Sequence, residues 1–302
     1  MDASVVIITR NRKEELRRAV RSACCQAMQL EVLVIDDGSD DGTSEMVRLE
    51  FPAVKLERSK VCRGYIFQRN RAASLAHGKV IFSIDDDAEF SSPNVIERTL
   101  QDFSDRRIGA VAIPYLEPLR DNQIRQTAHN PAEVWVTDRF VGTAHALLRI
   151  LFLKLGGYRE HLLHQGEEGD YCLRMLETGY VTRLGCADPI YHHESPRRSS
   201  ERMDFYGRRN DILFAWQNVP MPYLPLHLGA TVLHGCAYAV RSAHHPRRMF
   251  AGMLSGFAAC IHGDAKRRPV NSRIYRLSRE LKKRGPLPLR SVIDRLPPLS
   301  VN

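Results

Sequence analysis

Cysteine is sparse and unpatterned: there are seven, an odd number, with no CxxC spacing, and Cys24 and Cys25 are adjacent. A disulfide framework is therefore not expected, and reduced thiols in a cytoplasmic compartment are. Long apolar runs are also missing. No stretch approaches the roughly 20 residues that span a bilayer. The chain enters a strand-like run, Val5-Val6-Ile7-Ile8, with no charged-then-apolar leader before it, so neither a transmembrane protein nor a signal peptide is expected. No GxGxxG follows that run, which argues against a dinucleotide-dependent dehydrogenase. A nucleotidyltransferase would also need a Gly-rich loop where Thr9-Arg10-Asn11-Arg12 stands.

What is present suits a folded enzyme. Hydrophobic residues make up 43% of the 302, and charged residues 26%, enough for one large domain or a domain plus an extension. The net charge of +9 is confined to one place. Residues 265–295 hold eleven Lys/Arg and two Asp/Glu, a surplus of nine, so the rest of the chain is formally neutral. The basicity describes a tail, not the main domain.

Residues 4–8, 31–35, 54–57, 80–84 and 110–114 read as short apolar strands, alternating with helices over 14–27, 43–49, 67–76 and 94–103. Continuous apolar strands between helices predict an α/β fold with a mostly parallel central sheet covered on both faces. Such sheets bind ligands at the carboxyl ends of their strands, and polar clusters fall at those ends. Residues 140–148 read as a further strand and 167–178 as a helix, and the pattern becomes helical from about residue 202. A catalytic domain over 1–215 and a helical extension over 216–302 are expected, with prolines marking a loose end.

The first cluster is Asp85-Asp86-Asp87, directly after an apolar strand. Three adjacent carboxylates repel one another, and a hard divalent cation relieves that repulsion. Alternate residues project similarly from an extended segment, so Asp85 and Asp87 could face one ion; a solvated acidic loop explains the bare triplet about equally well. The second is Asp36-Asp37-Gly38-Ser39, where turn and cap chemistry accounts for most residues and a doubled Asp is left over that could accept from a base N–H. The third is Gly166-Glu167-Glu168-Gly169-Asp170 at a helix start. Acids suit that dipole and Asp170 with Arg174 forms an i, i+4 surface pair, while Glu168 could serve as a general base. In the fourth, His192 or His193 could ligate a metal or meet phosphate, and Arg197 with Arg198 could clamp a diphosphate.

Taken in order, Val-Val-Ile-Ile-Thr-x-Asn-Arg, Val-Leu-Val-Ile-Asp-Asp-Gly-Ser-x-Asp-Gly-Thr, Gln68-Arg69-Asn70, Asp-Asp-Asp, Glu-Glu-x-Asp and His resemble family 2 glycosyltransferases of GT-A-type fold over roughly residues 3–215. The resemblance implies inverting transfer of a hexosyl or deoxyhexosyl unit from a UDP-, dTDP- or GDP-linked donor to a glycan or lipid-linked acceptor, as in envelope or polysaccharide synthesis. It implies a divalent metal, Mn2+ or Mg2+. Thr9, Asn11, Asp37, Arg69, Asp85 and Asp86 would border the donor, with Asp37 on the base. Asp85 and Asp87 match the DxD pair, with Asp87 the more direct metal ligand and His192 supporting the metal or diphosphate. Glu168 falls at the catalytic base, in a Glu-Glu rather than a Glu-Asp pair. Trp135, Gly142 and Thr143 would lie around the acceptor, with Glu167, Asp170 and Arg197 as further site residues and Arg197 assisting the departing diphosphate.

The basic tail, with Ile274, Leu277 and Leu281 on one side, could lie on an anionic membrane surface, making the protein peripheral at the inner face. Nucleic-acid binding is a weaker reading, since the basic residues lie outside the main domain and no recognised motif accompanies them. A sugar-nucleotide-binding protein without turnover is the remaining alternative.

Overall fold

The computed structural model describes residues 1–193, 200–241 and 245–300. Its strands are β1 (Ala3–Thr9), β2 (Glu31–Asp36), β3 (Lys55–Arg58), β4 (Val80–Asp85), β5 (Ala88–Phe90), β6 (Ile108–Ala112), β7 (Tyr115–Leu116), β8 (Trp135–Thr137), β9 (His145–Leu148), β10 (Val181–Leu184), β11 (Ile190–His192) and β12 (Leu287–Pro288). Its helices are α1 (Lys13–Cys24), α2 (Thr43–Glu50), α3 (Tyr65–Leu75), α4 (Val95–Gln101), α5 (Arg149–Lys154), α6 (Glu167–Glu177), α7 (Ser200–Asn218), α8 (Leu224–Arg241), α9 (Pro246–Ile261), α10 (Ser272–Arg284) and α11 (Leu289–Val292).

Nine strands form one sheet in the order β12-β8-β10-β6-β9-β4-β1-β2-β3. The first half of the chain supplies a wholly parallel block, β3-β2-β1-β4, as its doubly buried apolar strands require. β9 then enters antiparallel between β4 and β6, and β10 pairs parallel with β6. Of the apolar run read as a strand over 140–148, only His145–Leu148 is strand. The helix α1 carries Glu14 and Glu15 in its first turn, and buries Leu16, Ala19, Val20 and Ala23, a single helical stripe, against the sheet. A second, small sheet, β5-β11-β7, sits beyond the end of β4. Among the described residues, no helix is long and apolar enough to cross a membrane.

The C-terminal stretch differs from the expected loose end. β12 pairs antiparallel with β8 and becomes the edge of the main sheet. Ile274, Leu277 and Leu281 of α10, with Leu289, Val292 and Leu296 beyond it, join the cluster that holds Val5, Ile7 and Phe82. The apolar side of the basic helix thus faces protein core, so the expected membrane contact through Ile274, Leu277 and Leu281 is not available. Periodicity finds such a stripe but does not say what covers it.

Because α10 completes this shared core, Leu277→Ala is expected to cost about 2–5 kcal/mol and to shift a single unfolding transition of the whole chain. Chemical denaturation monitored by circular dichroism checks this; an unmoved main transition would mean that the tail folds apart from the sheet.

Candidate functional site

The strand exits do converge. β4 ends at Asp85, and Asp86 and Asp87 form the turn that leads into β5. The middle one turns towards β1: Asp86 is buried, accepts from Thr9 Oγ1 at 2.9 Å and pairs with Arg12 Nη1 at 2.7 Å. Burial pushes its pKa up to about 7, opposed by Arg12 and reinforced by the charge of Asp87. Asp85 and Asp87 stand on either side of it in the chain, and Asp87 also meets Arg12 Nη1, at 3.2 Å. Their carboxylate oxygens and a ring nitrogen of His192 all lie within 4.8 Å of one another. Two carboxylates and an imidazole in that space suit a divalent ion that accepts oxygen and nitrogen donors, so the residues present fit a metal.

The small sheet selects between the two histidines. β11 pairs with β5 so that His192 stands opposite Ala88, next to Asp87, and its Nε2 lies 3.5 Å from Asp87 Oδ1. His193 donates its backbone N–H to the carbonyl of Asp87, and its ring turns to Glu89 at 2.7 Å. His192 is therefore the member of the acidic group, and His193 is not. A residue that sequence reading missed stands behind it: buried Glu117, just past β7, has Oε1 3.6 Å from His192 Nδ1 and is itself held by Arg120 and Arg125. Nothing in the local sequence marks Glu117; only the β7–β11 pairing brings it there.

Arg69 joins this group to the helix carrying the paired glutamates. Its guanidinium is buried, donates to Asp85 Oδ1 at 2.7 Å and the Gly142 carbonyl at 3.1 Å, and reaches Glu167 Oε1 at 3.4 Å. Burial alone would lower its pKa, but Asp85 and Glu167 outweigh that and raise it. Glu167 is fully buried at the start of α6, and Glu168 is half-buried. Burial raises the pKa of both. For Glu167 the charge of Glu168 adds to the rise, and Glu168, whose Oε1 lies against the space left by Gly142, is the candidate to take a proton from a substrate. The helix entry needs Gly166, whose φ of 88° suits glycine. A Cβ on Gly142 would lie 2.7 Å from Glu168 Oε1 and 3.0 Å from Arg69 Nη1, so the absence of a side chain there makes room for the carboxylate. The Thr143 hydroxyl accepts from the Asp85 backbone N–H at 3.4 Å. Arg139, also missed in sequence, lies alongside the first turn of α6, its Cζ 3.8 Å from the Cβ position of Gly169.

Other expected residues are placed differently. Asp37 accepts from the backbone N–H groups of Arg63 and Gly64, from Gln68 Nε2 and from Cys62 Sγ. Four donors fill the lone-pair directions of one carboxylate. Asp37 therefore fixes the turn before α3. Asn11, at a φ of 52°, donates its backbone N–H to Ser39 and accepts from the Asp40 N–H, tying two strand exits together. Asp170 points away from the site into a buried network with Arg159, Arg174 and Asn218. There it acts as a structural clamp, and its pair with Arg174 is buried rather than on the surface. Trp135 stands at the same sheet edge on β8, four strands from β4, on the order of 19 Å across the sheet. Arg197, like Glu194, Ser195 and Arg198, lies outside the described residues.

Comparison with known proteins agrees with this layout. The chain is 26% identical over 197 residues to the succinoglycan biosynthesis protein ExoU of Rhizobium meliloti, covering 59% of this chain and 58% of that protein. It is 37% identical over 92 residues to the uncharacterized glycosyltransferase YfnE of Bacillus subtilis, covering 29% of this chain and 23% of that one. The chain thus spans less than two thirds of the curated relatives it matches. Among solved structures, Staphylococcus aureus TarS 1–349 in complex with UDP-GlcNAc aligns with a TM-score of 0.64 at 14% identity, over 98% of this chain and 89% of that one. The mannosyltransferase PcManGT from Pyrobaculum calidifontis, in complex with GDP-Man and Mn2+, aligns with a TM-score of 0.56 at 20% identity, over 87% and 86%. These likenesses support the GT-A-type fold. The family model for glycosyl transferase family 2 matches residues 4–159, more than half of the chain, and the chain belongs to that family.

Proposed function

We propose that the chain transfers a sugar from a nucleotide-diphosphate donor to an acceptor hydroxyl, with inversion at the anomeric carbon and with a divalent metal. The observation that carries this reading is the single rim on which Asp85, Asp87 and His192 converge while Arg69 bridges Asp85 to the Glu167–Glu168 pair. Two structural neighbours are complexes with nucleotide-diphosphate sugars, UDP-GlcNAc and GDP-Man, the second also with Mn2+. In this reading residues 1–215 carry the catalysis, and residues 216–302 complete the fold around it.

Glu168 takes the proton of the acceptor hydroxyl, whose oxygen attacks the anomeric carbon as the bond to the diphosphate breaks. A single base on one side of the sugar and the leaving group on the other gives inversion. Asp85, Asp87 and His192 hold the metal, which when bound supplies positive charge to the departing diphosphate. Arg69 pairs with Asp85 and Glu167 and so fixes the distance between the two halves of the site. Gly142 and Thr143 border the acceptor next to Glu168, and Trp135 extends that border along the sheet edge. Mn2+ and Mg2+ both suit the donor set, with the imidazole favouring Mn2+.

Calorimetric titration of UDP, GDP and dTDP, with and without Mn2+, is expected to reveal metal-dependent binding of one nucleotide. Asp87→Ala and His192→Ala should weaken it at least about tenfold, while His193→Ala leaves it near wild type. No nucleotide binding under any metal condition would remove the glycosyltransferase reading. Glu168→Gln is expected to lower kcat by about 100- to 10,000-fold with nucleotide affinity unchanged. Since burial raises the pKa of Glu168, the base is inactive below that raised value. The wild-type kcat/KM should therefore climb with pH through a limb above the ordinary glutamate range of about 4.3. A limb at or below the ordinary value would assign the proton transfer to another group.

A further inference from the structure

The helical hairpin α8–α9 leaves its outer face uncovered, and that face is apolar. Leu226, Leu233, Val240, Leu254 and Ile261 are each 70–82% exposed. They recur at helical spacing, three or four residues and their multiples apart, so on each helix they form a stripe. Ala230, Ala237, Ala251 and Ala258 fill the same stripes, and Phe250 and Phe257 add aromatic surface beside them. The opposite sides of both helices, with Gly235, Ala239, Met249 and Met253, are buried. Soluble proteins seldom expose an apolar surface of this continuity without an occupant.

Charge says which occupant. From 212 to 263, between Asp211 and Asp264, the chain contains no Asp or Glu, whereas Arg241, Arg247 and Arg248 cluster at the tip of the hairpin. Arg248 is paired with Glu201 of α7; Arg241 and Arg247 are exposed. An apolar face free of carboxylates and edged by arginines matches the interface of a membrane containing anionic lipid, where side chains enter the acyl boundary and cations meet headgroup phosphates. A second copy of this chain matches it poorly. Its own hairpin would bring more arginines and no carboxylate from the same stretch to pair with them. No described helix is long and apolar enough to cross a bilayer, so this geometry lies on the membrane and does not span it.

We propose that α8 and α9 form a membrane-docking face that seats the protein on a phospholipid surface bearing anionic headgroups. This contact replaces the one expected through the basic tail, whose apolar side is buried. It also has a mechanical link to the site. Gly252 and Gly256 let α9 pack close against α7, so that a Cβ on Gly256 would lie 2.8 Å from the Arg209 carbonyl oxygen. On α7, Asn210 Nδ2 donates to the carbonyls of Leu162, His164 and Gln165 at 2.8–2.9 Å. That is the loop leading into Gly166 and Glu167. The face and the loop before the paired glutamates are thus two sides of one helix.

The test is flotation of the full-length protein with vesicles of phosphatidylcholine alone or mixed with phosphatidylglycerol. The wild type should float with the mixed vesicles and less with the neutral ones. The double variant Leu233→Asp/Leu254→Asp changes exposed residues only, so its thermal midpoint should stay at the wild-type value while its vesicle partitioning falls at least about tenfold. The tail variant Lys282→Gln/Lys283→Gln should float as the wild type does. The proposal is overturned if the wild type ignores mixed vesicles, or if the double variant floats undiminished. It is equally overturned if sedimentation reveals a dimer that the double variant breaks, since a second copy would then occupy the face. None of these outcomes depends on nucleotide binding, so this proposal and the glycosyltransferase reading stand or fall separately.

Discussion

Five carboxylates crowd one edge of the sheet, and two arginines make that crowding tolerable. Asp85, Asp86 and Asp87 are consecutive, and Glu167 with Glu168 comes within reach across the cleft. Left to themselves in a partly buried edge they would repel one another and take up protons. Arg12 answers the first half, meeting Asp86 at 2.7 Å and Asp87 at 3.2 Å. Arg69 answers the second, meeting Asp85 and Glu167. Burial first, and the neighbouring carboxylates after it, still raise the pKa values of Asp86, Glu167 and Glu168. A carboxylate group of this kind is destabilising as pure structure. Its assembly from four separate parts of the chain makes sense where a cation and a base have work to do.

The scaffold holds those groups by backbone pairing. Parallel pairing of β1 with β4 sets Ile8 beside Asp85, which puts Thr9 within reach of Asp86. The antiparallel entry of β9 beside β4 carries Gly142 and Thr143 to the same rim, because β9 begins where β4 ends. The three-stranded sheet supplies the histidine: one residue of register slip in β11 would put His193 in place of His192 and turn the wrong ring to Asp87. The glutamates are held from outside the sheet, by Asn210 gripping three loop carbonyls, those of Leu162, His164 and Gln165. That grip is a long-range contact, made by a side chain more than forty residues away from the loop.

This distribution explains what the sequence makes legible. The acidic triplet, the spacing of Asp85 and Asp87, and the helix-opening glutamates are local patterns, and the strand-then-carboxylate grammar locates the rim. The choice between His192 and His193 depends on pairing with β5, which no local pattern encodes, and Glu117 is invisible for the same reason. The sequence does not reveal that the turn at Cys62–Gly64 folds onto Asp37, because that contact is made from the far side of β3. Asp170 misleads: its spacing to Arg174 reads as a surface pair, and Arg159 with Asn218 turns it into a buried one. The same ambiguity affects helical stripes. The stripe of α10 is covered by core and those of α8 and α9 are left open, although all are regular in sequence, because covering is decided by tertiary packing.

The identity of the two bridging cations follows from the same physics. Arg69 must touch carboxylates on a strand end and on a helix start, and also a carbonyl from the loop between them, while buried. A lysine offers one point of charge, and burial drives its pKa down. At this position it could serve Asp85 or Glu167 but would leave the other carboxylate unanswered, and it would be liable to lose its own proton to the site. The planar guanidinium stays charged and divides its donors between partners in fixed directions. Arg12 meets a like requirement over two adjacent aspartates. Replacing either by lysine would conserve the formal charge and still alter the geometry, because each guanidinium sets the spacing of the carboxylates it bridges.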